Sequence, residues 1–442
     1  MGLGLAFLIV VVAVPFLAWG ICLRFAAGQP ALALKISVGM ALALVLTVSL
    51  AVVDVEIPLL AGRALILKSV AQLGIQLLGL AMLGFVMGLS TDRPKDVVSW
   101  LPVAWLSLGG LTLALLITPL PLALLAYFGS ALIWVFGLPE AERRAASNTV
   151  MRFAALLALS MPVLLIAFRL ADLRTASTPE IELLVLALAV PAFGLLLGVV
   201  PLHAWSLTVA SGTPRPMLFG ILLLVQTAGF GLLLRTLSTY PWMTGVAREA
   251  LVVGGALSAC AGGWLALSAR RDDPDDWLLY AAAANSGMLL AGLGTQSAAG
   301  GAGVALLLFA RVLALVILAL APRVSWLLRR LALAAGTLAL AGTPGLVGFP
   351  GLWLILRSLQ SADRTLANVA ILAGSGFLFA TAMRRWRADP EPPTSEPITA
   401  SARGARRAVI ALIALMIILG FAPQVIAAAF ATAMQDLFFT NP

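Results

Sequence analysis

Residues 198–235 read GVVPLHAWSLTVASGTPRPMLFGILLLVQTAGFGLLLR. An apolar helix runs into Pro201-Leu202-His203-Ala204-Trp205, and a short link of small residues follows. Thr213-Pro214-Arg215-Pro216 then turns the chain into a second apolar helix that ends at Arg235. Proline and glycine inside an otherwise membrane-spanning pattern leave backbone groups without helical partners. A bilayer tolerates this only where protein or a water-filled cavity satisfies them. The break at Pro201 and Pro214 therefore points to an ion or solute path.

Composition sets the frame for that reading. Of 442 residues 62% are hydrophobic and 11% charged, with a mean hydropathy of +1.06. Soluble globular chains carry about 25% charged residues, so this is a polytopic membrane protein, all-α in class. Net charge +9 and pI near 10.7 do not indicate nucleic acid, because the basic residues lie mainly in short loops that orient helices. Cys22 and Cys260 sit in apolar helices, which implies neither a disulfide framework nor a metal site. The first basic residue, Arg24, follows the first apolar run, so 3–24 reads as a retained helix and not a secretory signal. The sequence has no CxxC, no glycine-rich phosphate loop after a strand and no paired carboxylates. No active site, cofactor or metal is expected in this chain.

A span needs about 20 apolar residues. On that criterion helices fall near 3–24, 31–53, 65–89, 97–117, 119–138, 147–170 and 181–200. Others fall near 214–236, 249–269, 276–296, 299–320, 327–359, 365–386 and 406–430. The run 327–359 is too long for one straight span and is interrupted at Gly342-Thr343-Pro344-Gly345, making Pro344 a second break. The expected total is about fourteen transmembrane helices. Of the 28 basic residues, 18 lie in odd-numbered connections and 7 in even-numbered ones. By the positive-inside rule the odd connections are cytoplasmic and both termini face outward, across the cell membrane. The breaks fall in the fourth helix of two five-helix blocks, 97–236 and 249–386, which an odd helix offset relates as inverted repeats. Around them lie a three-helix segment (1–96), a proline-rich cytoplasmic loop (387–405) and a last helix (406–442).

The residue order also resembles the antiporter-like membrane subunits of respiratory complex I, Mrp-type cation/proton antiporters and membrane-bound hydrogenases. The resemblance rests on Pro201, Leu202, His203, Trp205, Pro214, Pro216, Gly231, Leu232, Leu233 and Arg235. It spans about 97–386 and is strongest over 198–235 and 338–357, where LALAGTPGLVGFPGLWLI resembles the family's twelfth-helix motif. It implies the same fourteen-helix orientation, other membrane subunits as partners, and transport of protons or monovalent cations within an NADH:quinone oxidoreductase-type, hydrogenase-type or Mrp-type assembly. Quinone or nucleotide chemistry would sit on other chains.

The resemblance also implies where ionisable groups should stand, and here the chain departs from it. No Asp, Glu, Lys, Arg or His occurs between Val97 and Pro139, where the family has a glutamate. The lysine positions of helices seven, eight and twelve read Leu196, Gln226 and Leu352, and the helix-ten histidine position reads Asn285. One charge stands at a family position: Arg311, mid-helix, where the family has His or Lys. A mid-bilayer arginine costs about 2.5–3.5 kcal/mol even on the lenient scale, so it should face the bundle interior and meet Asn285, Gln226 or freed carbonyls. Its preferred reading is a structural bridge, since arginine scarcely releases a proton. His203 can shuttle a proton or simply bond the free backbone at its helix end. Gln226 and Asn285 line a polar passage or bond between helices. Asp54 and Glu56 read as an exterior loop, and Trp100, Trp105, Trp326, Trp353 and Trp386 as interface anchors.

The leading expectation is thus a membrane subunit degenerate in pumping. The alternative is a stand-alone secondary transporter of a small neutral or anionic solute, with Arg311 pairing a carboxylate. A membrane-surface transferase ranks last, because the loops are short.

Overall fold

The computed structural model describes residues 2–59, 62–89, 93–137, 147–174, 179–203, 213–269, 275–388, 400–424 and 427. Helices α1 (Gly2–Phe25) and α2 (Pro30–Leu50) precede strands β1 (Val55–Pro58) and β2 (Ala64–Leu67). Then come α3 (Ser69–Gly88), α4 (Pro94–Leu116), a two-residue strand β3 (Ile117–Thr118), α5 (Leu120–Phe136), α6 (Ser147–Asp172) and α7 (Pro179–Leu197). The next helix, α8 (Arg215–Thr239), includes a π-helical stretch at Ile221–Val225. The chain continues through α9 (Pro241–Ser268), α10 (Asp276–Gly294) and α11 (Ala298–Leu320), a 3-10 turn (Ala321–Arg323), and α12 (Trp326–Ala341). It closes with α13 (Gly348–Ser361), α14 (Thr365–Ala388) and α15 (Ala400–Phe421).

Among the described residues, twelve helices are long and apolar enough to cross a membrane, and α5 is a shorter apolar one. Helices α12 and α13 share the run 327–359, which the sequence marks as interrupted. Proline opens several helices: Pro30, Pro94, Pro179 and Pro241 each stand at the first helical position, where the missing N–H costs nothing. Glycine closes α12, with Gly342 left-handed at φ 68.

Two stretches differ from the sequence reading. Helix α15 begins at Ala400, six residues inside the loop expected over 387–405. Residues 55–67 form a β-hairpin, so α2 stops at Leu50 and α3 starts at Ser69. Val55 pairs with Leu67 and Pro58 with Ala64, and Ala64 pairs in turn with Thr118 of β3. Asp54 and Glu56 therefore belong to an ordered hairpin, Asp54 with its backbone at φ 60 and its N–H donating to the Leu67 carbonyl at 2.7 Å. The apolar strand β2 abuts α3 and extends its hydropathy run, which is why it merged with the expected helix 65–89.

The described residues divide into two compact units, one from 2–197 and 213–247, the other from 198–203 and 248–427. In the first, Trp105 Nε1 donates to Ser37 Oγ at 3.0 Å, and the same hydroxyl lies 3.3 Å from Cys22 Sγ. Trp134 Nε1 donates to Ser107 Oγ at 3.0 Å, while its ring stacks on Trp100 at 6.1 Å. Trp100 and Trp105 are thus core residues, 1% and 0% exposed, and not interface anchors. A serine hydroxyl satisfies the Trp105 indole N–H inside the bundle.

In the second unit, glycine lets backbones touch. A Cβ on Gly255 of α9 would lie 2.5 Å from the Ala291 nitrogen and 2.6 Å from the Gly287 carbonyl oxygen of α10. Gly263 meets Gly374 of α14 in the same way, and Gly303 of α11 meets Gly351 of α13. Such close approach is how helices associate where lipid removes the hydrophobic drive between them.

Candidate functional site

Among the described residues each unit holds interrupted helical structure with buried polar groups. In the first unit it is α8. The π-helical stretch Ile221–Val225 ends at Gln226, which is 2% exposed. Tyr127 of α5, fully buried, donates its hydroxyl to the Val225 carbonyl at 3.1 Å. A Cβ on Gly229 would come within 3.0 Å of that hydroxyl, so glycine gives the tyrosine its room. Wide turns of this kind loosen the helical ladder and recur at functional sites.

At the far end of α8, Arg235 donates to the Ala114 carbonyl at 2.7 Å and to the Ile117 carbonyl. The carbonyls at the end of α4 carry its negative dipole end, so a guanidinium suits them. Read from sequence Arg235 is only the end of a motif; in the fold it ties α8 to α4 and the hairpin sheet.

In the second unit the segment Gly198–His203 follows α7 with Gly198 at φ 64, and the Val200–Pro201 peptide is cis. The Val200 N–H donates to Ser258 Oγ at 3.0 Å, and Ser258 Oγ to the Ala283 carbonyl at 3.2 Å. The His203 ring lies 5.4 Å from the Tyr280 ring. Burial pushes His203 below the ordinary 6.5, partly offset by its bond with the Pro201 backbone. The imidazole is therefore neutral at pH 7. Its contribution to stability is present above its unfolded pKa and is lost as pH falls through the lowered folded value. In ring-labelled protein we expect a titration midpoint under 6.5; a midpoint above it would place the ring in water or beside a carboxylate. Trp205 of the same motif lies outside the described residues.

The second break is closed by protein. All four terminal carbonyls of α12 have donors: Leu338 from the Thr343 N–H at 3.1 Å and Thr343 Oγ1 at 3.0 Å, Ala339 from the Gly342 N–H at 3.1 Å. Leu340 accepts from Asn285 Nδ2 at 2.9 Å, and Ala341 from Ser375 Oγ at 2.6 Å. Pro344 lies in the turn between these residues and α13.

Arg311, 0% exposed, points to α10. Its Nη1 donates to the Ala282 carbonyl and Ser286 Oγ, each at 2.9 Å, and lies 3.4 Å from Asn285 Oδ1. One nitrogen carries two hydrogens, so the two shorter bonds hold it and the third is marginal. Asn285 thus sits between Arg311 and the α12 break. Gln226 belongs to the other unit. Among the described residues no group of three or more His, Cys, Asp or Glu side chains could hold a metal.

No protein-family model matches the sequence, and no curated protein is similar to it. Solved structures are. A chain of respiratory complex I from Thermus thermophilus aligns with TM-score 0.77 at 21% identity, over 95% of this chain and 99% of that one. A chain of the Mrp complex from Dietzia sp. DQ12-45-1b aligns with TM-score 0.76 at 16% identity, over 99% and 98%. A chain of the membrane-bound sulfane sulfur reductase, an archaeal respiratory membrane complex, gives TM-score 0.82 at 16% identity, over 98% and 97%. The chain shares the fold of these chains of respiratory and Mrp complexes.

Within this fold, the positions carried over by motif are buried. Leu196 is 1% exposed and Leu352 3%. Leu352 packs so close to the left-handed Gly342 that a Cβ there would lie 2.8 Å away. Tyr127, Ser258, Ser286 and Ser375 went unremarked in the sequence. Ser286 directly follows Asn285, and Tyr127 is one of only 3 tyrosines; these were the signals that could have found them.

Proposed function

We propose that this chain is a membrane subunit of a multisubunit assembly of the complex I-like, hydrogenase-like or Mrp-like kind, related to ion-translocating subunits but not itself pumping through a lysine–glutamate relay. The observation that carries the proposal is the pairing of that fold with uncharged, buried residues at the carried-over positions: Leu196, Gln226, Asn285 and Leu352. A proton path through lipid needs groups that take and release protons in a hydrated chain. Amide and aliphatic side chains do neither, and a guanidinium holds its proton. The subunit's work is then structural or coupling, with Arg311 and Asn285 bracing α10, α11 and the α12 break.

In the same reading the blocks 97–236 and 249–386 are inverted repeats, 1–96 is a preceding three-helix segment, and the connection from α14 to α15, within 387–405, is cytoplasmic. The 18-to-7 split of basic residues supports both termini lying outside the cell membrane. Tagged protein drawn from a mild detergent extract should bring stoichiometric membrane partners. Proteoliposomes of the chain alone should exchange protons for Na⁺ no faster than empty ones. Recovery of a lone chain with robust exchange would overturn the proposal.

A second reading is favoured by one feature, the buried Arg311 one residue from the α12 joint through Asn285. A solute carboxylate would suit it, making the chain a stand-alone secondary transporter of an anionic or neutral solute.

A further inference from the structure

Arginines gather at one end of the second unit. Arg330, at the start of α12, donates to the Trp386 carbonyl near the end of α14, and its guanidinium lies 4.7 Å from both the Trp326 and Trp386 rings. Arg385 lies 5.4 Å from the Trp277 ring, bringing the start of α10 to the same place. The 3-10 turn before α12 packs against α15. The other end of α15 lies at the break, where a Cβ on Gly420 would fall 2.7 Å from Leu346. Five exposed arginines, Arg329, Arg387, Arg403, Arg406 and Arg407, belong to this end, against two described acids, Asp275 and Asp276. Tryptophans beside arginines at the ends of apolar helices mark the level of lipid headgroups.

The two faces of α15 then specify the kind of ligand. Its inner face, Ala405, Val409, Met416 and Leu419, is buried. The opposite stripe, Arg403, Arg407, Ile410, Ala414, Ile417 and Phe421, recurs at helical spacing and is exposed throughout. It begins with guanidinium groups and continues, apolar, from Ile410 to Phe421 for roughly 17 Å of helix. Half of a ~30 Å hydrocarbon core is shorter than that. A soluble acidic partner would match the arginines but not the stripe.

We infer that this face of α15 seats an anionic phospholipid, its phosphate on Arg403, Arg406 and Arg407 and its acyl chain along Ile410, Ala414 and Ile417. Guanidinium groups bind phosphate through paired N–H donors, and basic clusters flanking membrane helices recruit anionic lipid.

The test is native mass spectrometry of the full chain in detergent, titrated separately with phosphatidylglycerol, phosphatidylcholine and inorganic phosphate. Phosphatidylglycerol should be retained in preference to phosphatidylcholine, and millimolar phosphate should not displace it. The variant R403Q/R406Q/R407Q should weaken its binding on the order of a hundredfold, roughly fivefold per arginine. R403K/R406K/R407K should keep most of it, which guards against a folding defect in the glutamine variant. Ile417→Ser should weaken it as well, whereas R24Q/R93Q/K95Q, removing equal charge from the other unit, should not. Equal retention of the two lipids, full displacement by phosphate, or an equal loss in the control variant would each overturn the assignment.

Discussion

Gly255→Leu should abolish recovery of folded protein, while Gly254→Leu, one residue away, should behave as the parent. Nothing lies within 4 Å of a Cβ on Gly254, which faces outward. On Gly255 the added carbon would meet the Ala291 nitrogen at 2.5 Å, the Gly287 carbonyl oxygen at 2.6 Å and the Ala291 Cα at 3.1 Å. These are backbone atoms of α10, so no rotamer change relieves them. Separating the helices would also disturb the α10 turn that carries Ala282, Asn285 and Ser286. Overpacking a core usually costs about 1–3 kcal/mol, and a backbone clash belongs to the rarer class above ~4. Fluorescence-detected size exclusion and thermal melting of the two variants side by side would decide it. Equal profiles would mean that α9 and α10 do not touch here.

Asn285→Leu should lower stability by about 2–3 kcal/mol, because the Leu340 carbonyl keeps its burial and loses its donor. Arg311→Leu alone should cost less. The Ala282 carbonyl it leaves still accepts from Ser286 Oγ at 2.9 Å, so no acceptor there is orphaned. Replacing a buried charge by an apolar group of similar reach is often neutral. The double variant should therefore cost less than the sum of the singles, since the marginal 3.4 Å contact between the two is lost only once. Melting curves in one detergent supply all four corners of the cycle. The same variants separate the two functional readings. A chain that brings partners from the membrane should still do so with Arg311→Leu, whereas a transporter using that guanidinium to hold a carboxylate would lose uptake while folding normally.

Much of the architecture was readable because bilayer spans announce themselves. Apolar runs of about 20 residues separated by arginine-bearing connections marked the helices. Proline and glycine at 201, 214 and 342–345 marked the interruptions. The hairpin at 55–67 escaped because a four-residue apolar strand has no period that distinguishes it from the end of a helix. Trp100 and Trp105 misled because an indole suits either a headgroup layer or a core with a serine to accept its N–H, and only Ser37 and the packing of α1, α2 and α4 choose between them. Arg235 reads only as the end of a motif until the ends of α4 and the sheet are seen beside it.

The order of residues determined that the chain lives in a membrane, where it crosses and where it breaks, because hydropathy and backbone competence are properties of each segment alone. Tertiary structure alone decided who satisfies each break: Asn285, Thr343 and Ser375 at α12, Ser258 at Val200, Tyr127 at the wide turn of α8. A hydrogen bond depends on which faces meet across helices far apart in sequence, and no local pattern records that.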